Sequence, residues 1–484
     1  MIFNSLSYAL FLLLVVTAYW GIKNGGRQWI IFIASITFYG FWRLDFVLLL
    51  LFSTALDFFV AKQIEVSEKG RKKFFLLLSL CTNLGLLIVF KYLYFIHDNI
   101  TGLFNLINVE IPEIAFEIIL PLGISFYTFQ TISYTIDVYR GHLDAEQNFI
   151  GYGCYVLFFP QLIAGPVLRA GEIIPQFKAE KSFNFDDFYE GLKRIIYGLF
   201  LKVVVADNIA PFVDEGFLIP TEMMSAWDVW TLSYLFGFQI YFDFSAYSHI
   251  ALGTARLFGI RFPENFNYPY AATDPKDFWK RWHISLSSWI RDYLYLPLIG
   301  AKVIPRSEGG LGNQVVENRQ SNENKGLFLS WGIMGLWHGA NWNFLIWGLY
   351  HATVIYGYRK FKERSKRVAI NTKIACAMTM PIMMLGWVPF RAESVDHTMD
   401  MWLLIVTPAS YQDTLGMREN AYLIGLLLVL GFLAAFRLKE PLFSVAKSEI
   451  NPIAQVTGVL FFACLLVLVL IFMRPVSQFI YFQF

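Results

Sequence analysis

Charged residues are scarce in this chain of 484 residues. Asp, Glu, Lys and Arg together make up 16% of it, whereas 56% of the residues are hydrophobic. The mean hydropathy is +0.49. A soluble globular protein carries roughly 25% charged residues, because its surface must be solvated. The composition therefore excludes a soluble domain and predicts an integral membrane protein.

Short motifs of several large enzyme classes are also missing. The sequence contains no Walker A motif, no GxGxxG, no HExxH, no GxSxG and no internal repeat. These absences weigh against a nucleotide-driven pump, a zinc protease and a serine hydrolase. The four cysteines stand singly in apolar runs, without the spacing of a metal site or a disulfide framework. We interpret them as packing residues.

Long apolar runs, in contrast, are abundant. A membrane-spanning helix needs about 20 apolar residues, and five runs approach or reach that length: 6–22, 46–61, 74–96, 421–436 and 453–473. The first run lacks the charge and cleavage site of a signal peptide, so we expect a retained span. Less pure segments raise the predicted total to about a dozen helices; these segments are 28–42, 118–138, 152–168, 195–213, 227–255, 327–357 and 374–390.

The few charges are placed unevenly along the chain. The loop 62–73 carries five Lys or Arg residues and the loop 359–373 carries seven, whereas 98–117 carries four acidic residues and no basic one. Basic loops of membrane proteins stay in the cytoplasm. We therefore predict that 23–27, 62–73 and 359–373 are cytoplasmic, and that 98–117 and the net acidic 391–400 lie outside.

Polar residues divide the chain into regions. Residues 1–97 form simple spans, whereas the spans from about 118 onward contain Gly, Pro, Asp, Arg and His, which membranes tolerate only inside protein or around a wet cavity. We predict one integral membrane domain, 1–484, whose catalytic body is 118–357, with flanking helices in 1–97 and 400–474. The polar, glycine-containing segment 301–326 is predicted to be a loop.

The stretch DPKDFWKRWHISLSSWIRDYLYLPL (274–298) combines charges with tryptophans. Asp274 and Pro275 form a helix start, and Pro297 marks an end. A continuous helix would place Lys280, His283, Ser287 and Arg291 on one stripe. The opposite face would carry Trp279, Trp282, Leu286, Trp289 and Tyr293. Such a helix fits the membrane interface or the wall of a polar cavity, and anionic headgroups account for Lys280 and Arg281 better than for His283.

A second stretch, SWGIMGLWHGANWNFLIWGLYHA (330–352), places His338 in an apolar helix. Asn341 and Trp342 would share its face, and the pair Gly335 and Gly339 would let another helix or a substrate come close. A histidine at bilayer depth is costly unless it is paired or faces water, so His338 is a candidate site residue.

Other polar residues in apolar runs are interpreted as structural. We expect His249 and His351 to be packing residues. Asp57, Lys91, Asp137 and Asp243 are expected to pair between helices or to line polar space.

Both histidine motifs resemble those of the membrane-bound O-acyltransferase (MBOAT) family, and within it the alginate O-acetyltransferase (AlgI) type. The stretches FWKRWHISLSSWIRDYLYLPL and GLWHGANWNFLIWG carry the resemblance. Supporting stretches extend it over nearly the whole chain; they are GISFYTFQTISYTIDVYRG, FFPQLIAGPVLRA, YFDFSAYSHIALGTARLFGIRFPENFNYPY and the ending FIYFQF. One departure is PLIGAKVIPRSEGG, where a Gly-Gly pair would be expected after Pro-Leu.

The resemblance implies an all-α polytopic membrane protein, with re-entrant or interfacial helices around a transmembrane tunnel. It implies that His338 is the catalytic residue. It also implies that His283 is a second polar site residue, at a position that other branches fill with asparagine or aspartate.

Acyl transfer from a thioester to a hydroxyl needs a base for the hydroxyl proton and donors for the oxyanion, but no metal or redox cofactor. We expect His338 to be the base and His283 to position the acceptor or polarise the thioester carbonyl. Ser287, Arg291, Asn341 and Trp342 are the expected substrate-binding or supporting residues.

The expected function is O-acetylation of an extracytoplasmic polysaccharide such as alginate, from the bacterial inner membrane. The donor would be acetyl-CoA or another acyl thioester, with no tightly bound cofactor. Membrane lipids and a periplasmic SGNH-type acetyl-transfer protein are the expected partners, and no nucleic acid. D-alanyl transfer for teichoic-acid modification, a lipid-linked sugar or acyl transporter, and a non-catalytic scaffold remain the alternatives.

Overall fold

The computed structural model describes residues 3–162, 165–303, 315–316, 322–365, 370–447, 452–474 and 479. Most of the predicted loop 301–326, and all of the ending FIYFQF except Phe479, lie outside the described residues. Helices dominate the described chain. Strands β1 (Lys302–Val303) and β2 (Val315–Val316) pair antiparallel within the predicted loop.

Helices of the N-terminal half begin with α1 (Leu6–Gly21), α2 (Asn24–Gly40), α3 (Asp45–Val66), α4 (Lys69–Leu87), α5 (Leu93–Asn105), α6 (Ile124–Arg140), α7 (Phe149–Leu157), α8 (Phe159–Leu162) and α9 (Ala170–Lys178). They continue with α10 (Phe185–Leu199), α11 (Asp207–Phe217) and α12 (Ala226–Leu257). Short π-helical turns at Ile88–Tyr92 and Phe200–Ala206 join α4 to α5 and α10 to α11.

Helices of the C-terminal half are α13 (Pro275–Trp279), α14 (Ile284–Trp289), α15 (Leu296–Leu298), α16 (Glu323–His338), α17 (Trp342–Arg364), α18 (Thr372–Leu385), α19 (Val388–Arg391), α20 (Val395–Val406), α21 (Glu419–Lys447) and α22 (Pro452–Phe472). A π-helical turn, Ile290–Tyr295, follows α14. Short 3₁₀ turns occupy Thr221–Met223, Pro269–Ala271 and Pro408–Tyr411.

Five helices of the described chain are long and apolar enough to cross a membrane: Asp45–Val66, Lys69–Asn105, Phe185–Phe217, Thr372–Arg391 and Glu419–Leu438. Three shorter apolar helices are Leu6–Gly21, Phe149–Leu162 and Val456–Phe472. Other runs that the sequence suggests as spans are interrupted or more polar. The predicted all-α membrane architecture is confirmed, whereas the tunnel stays a prediction.

The chain forms two compact units. Unit 1 contains 1–192, 251–263 and 288–321, and unit 2 contains 193–250, 264–287 and 322–484. The sequence does not predict this division, because each unit collects segments that are far apart along the chain.

A buried polar network fastens three helices of unit 1. The Asp57 carboxylate of α3 accepts hydrogen bonds from Ser79 Oγ at 2.6 Å and Asn83 Nδ2 at 2.8 Å, both on α4. Ser79 Oγ also lies 3.4 Å from Thr135 Oγ1 of α6. Asp57 is fully buried, so each hydrogen bond offsets the desolvation of a polar group in an apolar bundle. The expected pairing of Asp57 between helices is confirmed.

Unit 2 also contains buried charges. Lys202 Nζ lies 2.8 Å from both Asp207 Oδ1 and Asp243 Oδ1, which confirms the expected pairing of Asp243. At the start of α12, the Asp228 carboxylate accepts hydrogen bonds from the backbone N–H groups of Ser225, Gly416 and Met417. Asp228 thereby joins two segments that lie far apart in the sequence.

Helices α16 and α17 form a tight antiparallel hairpin in unit 2. An added Cβ at Gly335 would lie 2.2 Å from the backbone oxygen of Phe344, and one at Gly348 would lie 2.2 Å from that of Trp331. Only glycine permits this approach. The expectation that Gly335 lets another helix come close is confirmed.

Candidate active site

The backbone at His283 is left-handed. Its φ angle is +42°, a conformation that few non-glycine residues adopt and that asparagine, aspartate and histidine tolerate best. A left-handed residue cannot continue a right-handed helix. The helix capped by Asp274 ends at Trp279, and α14 begins at Ile284, directly after the left-handed residue.

This break corrects the prediction of one continuous helix over 274–298. The predicted start is confirmed, because the Asp274 carboxylate accepts a hydrogen bond from the Asp277 N–H at 2.9 Å and Pro275 is the first helical residue. The predicted stripes are wrong, since the turn at His283 changes the direction in which the later side chains point. Ser287 and Arg291 do not share one helical face with Lys280 and His283.

A neighbouring segment holds His283 in place. The Oδ1 atom of Asn265 lies 3.1 Å from His283 Nδ1 and also accepts hydrogen bonds from the Ser285 N–H at 3.2 Å and Ser285 Oγ at 2.8 Å. The backbone oxygen of Asn265 accepts from the Ile284 N–H at 2.9 Å. Asn265 Nδ2 donates to Ser248 Oγ at 3.2 Å. Both the side chain and the strained backbone of His283 are thus fixed.

These contacts determine which nitrogen of His283 carries the proton. A backbone N–H can only donate, so the Asn265 atom that faces the Ser285 N–H is the amide oxygen. An amide oxygen can only accept, so His283 Nδ1 must be the protonated nitrogen. In the neutral ring Nε2 then carries a lone pair and can accept a proton.

His283 lies outside the candidate spans and is 1% exposed. Burial lowers the pKa of this imidazole to about 3, because a cation loses its hydration in the interior. The ring is therefore neutral at physiological pH. It packs against Phe244, whose ring centroid is 4.6 Å away, and Phe244 in turn contacts Phe479 at 5.6 Å.

His338 is the last residue of α16 and is 5% exposed. Aromatic rings surround its imidazole, with centroids at 4.9 Å for Trp347 of α17 and 5.3 Å for Phe390 of α19. The structure thus places His338 in an apolar pocket at a helix end, beside a two-helix turn.

The predicted common face of His338, Asn341 and Trp342 is wrong, because the chain turns between α16 and α17. Gly339 is extended, with φ −157°. Asn341 caps α17 by accepting a hydrogen bond from the Asn343 N–H at 3.0 Å. Asn341 is exposed, and Trp342 is 49% exposed. Their predicted role in substrate binding stays a prediction.

The side chains of Ser287 and Arg291 each donate a hydrogen bond to a residue nearby in the sequence. Ser287 Oγ donates to the backbone oxygen of Trp282 at 3.2 Å. Arg291 belongs to unit 1, is exposed and donates through Nε to Asp292 Oδ1 at 2.7 Å. Asp292 in turn accepts from Arg169 Nη2 at 3.2 Å. The predicted contribution of Ser287 and Arg291 to substrate binding stays a prediction.

Both histidines lie in unit 2, and a chain of aromatic rings extends from one to the other. Trp282, next to His283, packs on Trp387 at 4.7 Å, Trp387 on Trp347 at 6.2 Å, and Trp347 on His338 at 4.9 Å. From the sequence we predict that the two imidazoles open onto one cavity and lie within roughly 10 Å of each other, and these ring contacts leave that a prediction.

Asn265 is the residue that the sequence analysis missed. It precedes His283 by 18 positions in the segment FPENFNYPY, and no spacing rule joins the two. Within the described ranges, no group of three or more His, Cys, Asp or Glu side chains could hold a metal ion.

Comparison with known proteins identifies the class. The chain matches the family model described as "MBOAT, membrane-bound O-acyltransferase family" over residues 142–310, which include His283. It is 35% identical over 468 residues to "Probable alginate O-acetylase AlgI" of Azotobacter vinelandii, covering 93% of this chain and 88% of that protein.

Two further relatives carry different names. Peptidoglycan O-acetyltransferase of Helicobacter pylori is 35% identical over 402 residues, covering 77% of this chain and 72% of the relative. Teichoic acid D-alanyltransferase of Bacillus subtilis is 29% identical over 288 residues, covering 57% and 70%. All three names describe the transfer of an acyl group, and the apolar helical architecture is that of a multi-pass membrane protein. The chain belongs to the membrane-bound O-acyltransferase family, and it is an O-acyltransferase.

Proposed function

We propose that the protein moves an acetyl group from a cytoplasmic thioester across the bacterial inner membrane for O-acetylation of an extracytoplasmic polysaccharide such as alginate. The observation that carries this proposal is the fixed tautomer of His283, whose Nε2 can accept the hydrogen bond of a hydroxyl. The relatives named for acetyl transfer align with most of the chain, which favours acetate over other acyl groups.

The tautomer distinguishes between the two roles expected of His283. A neutral imidazole whose only N–H donates to Asn265 has no donor left for a carbonyl oxygen. Polarising the thioester carbonyl is therefore disfavoured, and positioning the acceptor hydroxyl is favoured. His338 remains the proposed base.

The proposed step is balanced without a metal or an oxidant. The acceptor hydroxyl oxygen attacks the thioester carbonyl carbon while its proton passes to His338. The carbonyl electron pair moves onto oxygen and returns as the carbon–sulfur bond breaks. The thiolate then takes the proton back from the imidazolium, and an ester and a free thiol leave.

Acetyl-CoA or another acyl thioester is the proposed donor, since a thioester is already activated and no tightly bound cofactor is then required. A coenzyme A thioester is too large and charged to cross the membrane, so only its arm would enter from the cytoplasmic side. We further propose a periplasmic SGNH-type protein as the partner that passes the acetyl group to the polymer, with lipids as the surrounding medium.

D-alanyl transfer to teichoic acid is the second candidate, because the Bacillus subtilis relative carries that name. The alignment with it is shorter and less similar than that with the acetylases. The transporter and scaffold alternatives lose support, because each relative is named as an enzyme.

Comparing cells with and without the protein tests the proposal. We expect mass spectrometry of the surface polysaccharide to show acetyl esters only when the protein is present. His338→Ala should insert normally into the membrane and lose acetylation. The matched control is His97→Ala, since the His97 imidazole contacts the backbone oxygen of Pro112 near the predicted outer loop. Polysaccharide that carries D-alanyl esters would instead support the second candidate, and near-full acetylation by His338→Ala would remove this residue from the mechanism.

A further inference from the structure

His351 of α17 lies inside a cage of aromatic rings and is fully buried. The surrounding rings include those of Trp347 at 4.9 Å, Trp279 at 5.0 Å, Tyr350 at 5.3 Å and Trp331 at 5.6 Å. Trp347 contacts His338 at the same distance of 4.9 Å. The cage therefore adjoins the proposed base directly. All of these residues belong to unit 2.

Four polar atoms of this cage are buried and have no hydrogen-bond partner among the described residues. They are Nδ1 and Nε2 of His351, Nε1 of Trp279 and Nε1 of Trp347. A buried polar group without a partner is destabilising, and native proteins contain few of them. Four in one cluster indicate that a bound molecule supplies the missing partners.

Four other tryptophans of the described chain follow the usual pattern. The indole N–H groups of Trp20, Trp289 and Trp402 donate to backbone oxygens, and that of Trp230 donates to the Tyr411 hydroxyl. The indole N–H groups of Trp279 and Trp347 differ from these four, and both belong to the cage around His351.

The chemistry of these atoms restricts what they can bind. An indole N–H only donates, and a neutral imidazole offers one donor and one acceptor. The cage presents three N–H groups and one lone pair. A small group rich in acceptors fits this set, and a carbonyl oxygen that gains negative charge fits it best, because donors in a water-excluded pocket stabilise developing charge strongly.

We propose that Trp279, Trp347 and His351 form the pocket that binds the carbonyl oxygen of the acyl thioester beside His338. This inference rests on the proposed function, and it supplies the donors that His283 cannot provide. As the acceptor oxygen attacks the carbonyl carbon, the electron pair displaced onto the carbonyl oxygen is received by these N–H groups. It returns when the carbon–sulfur bond breaks, while the proton moves through His338.

Replacing a single indole by phenylalanine tests the pocket. Trp347→Phe and Trp279→Phe keep an aromatic ring but remove the N–H. Loss of one oxyanion donor lowers kcat by roughly 10²-fold or more, with little change in KM. The melting temperature should stay the same or rise, since an unpaired buried N–H is removed. A residue that served only in packing would show the opposite pattern, with stability lost and the rate per folded molecule kept.

Trp331→Phe is the matched control. Trp331 packs on Trp279 at 4.7 Å and on Trp347 at 6.0 Å, yet it is half-buried and its indole N–H does not belong to the four unpaired atoms. We expect it to retain the wild-type rate. The measurement is the initial rate of labelled acetate incorporation from acetyl-CoA by membranes that contain the full chain, normalised to folded protein.

A further variant at position 347 removes only the indole N–H. β-(3-Benzothienyl)alanine at position 347, introduced by suppression of a stop codon, has the shape of tryptophan and no indole proton. We expect the same loss in kcat as for Trp347→Phe. If this variant and Trp331→Phe both keep the wild-type rate, the pocket does not bind the carbonyl. Wild-type membranes without any incorporation above the background of cells lacking the protein would instead contradict the proposed function itself.

Discussion

At the scale of single residues, the proton on His283 is placed by one atom, Asn265 Oδ1. Both histidines can be identified from the sequence, because an imidazole in an apolar run is costly and stands out. The tautomer of His283 cannot be predicted from the sequence, since Asn265 comes from a separate segment that contains other polar residues. Similarly, His351 is expected to be a packing residue until its ring nitrogens are seen to lack partners.

Asn265→Ala tests this placement. Without the acceptor, the His283 proton is no longer confined to Nδ1, so a fraction of the rings would present N–H instead of a lone pair to the hydroxyl. We expect the acetylation rate to fall by roughly 10²-fold, at the lower end of general acid–base effects. Initial rates in membranes measure it.

Ser248→Ala is the control, since Ser248 contacts the amide nitrogen of Asn265 and not its oxygen. It should retain most of the activity. A wild-type rate for Asn265→Ala would show that the tautomer does not matter to the reaction.

At the scale of helices, the segment 274–298 shows where sequence patterns reach their limit. The helix start was predictable from Asp274 and Pro275, because capping depends on neighbouring residues. The break at His283 was not, because it depends on hydrogen bonds to Asn265 and to its backbone oxygen. Helical periodicity predicts which residues share a face only while the helix continues. A left-handed residue interrupts the helix, so the residues before and after it no longer share the predicted face. The turn after His338 separates Asn341 from its predicted face in the same way.

The hairpin of α16 and α17 should be sensitive to one methyl group. The Cβ of Gly348→Ala would meet the rigid backbone oxygen of Trp331, so the helices must separate. Overpacking of this kind costs roughly 1–3 kcal/mol, and the shift would displace Trp347 and His338. We expect a lower melting temperature in detergent and reduced activity.

Gly357→Ala provides the comparison on the same helix, since nothing lies within 4 Å of an added Cβ there. Alanine is a better helix former than glycine by about 1 kcal/mol, so this variant should be as stable as the wild type or more so. Equal destabilisation by both substitutions would contradict the close approach of the two helices.

At the scale of the whole molecule, composition and apolar runs predict the class of fold, because a bilayer admits few architectures besides helices. They do not predict the two compact units, nor the links between distant segments such as Asp228 with Gly416 and Met417. Those links depend on which helices become neighbours, and hydropathy along one chain contains no such information.

The orientation in the membrane is predicted from charge, and one contact in unit 1 relates two of the segments concerned. Glu65, near the end of α3, accepts a hydrogen bond from the Ala145 N–H at 2.8 Å. The basic segment 62–73 and the chain that follows α6 therefore lie at the same end of the helices. We expect both to face the cytoplasm.

Cysteine labelling tests this orientation in a background without the four native cysteines. Lys69→Cys and Glu110→Cys place thiols at exposed positions of the basic segment and the acidic loop. A membrane-impermeant reagent added to intact spheroplasts should label position 110 alone, and position 69 only after permeabilisation. The reverse pattern would overturn the topology.

The left-handed backbone at position 283 also limits which substitutions evolution or protein engineering can explore there. Glycine, asparagine, aspartate and histidine adopt a positive φ at least cost, whereas β-branched and bulky residues are strained. Asparagine, aspartate and histidine also have a polar side chain that could face a substrate, whereas glycine has none. These three are the residues that the family resemblance gives for this position. Libraries intended to alter acceptor choice should therefore sample these residues at 283 and place wider diversity on the neighbouring positions of ordinary backbone geometry.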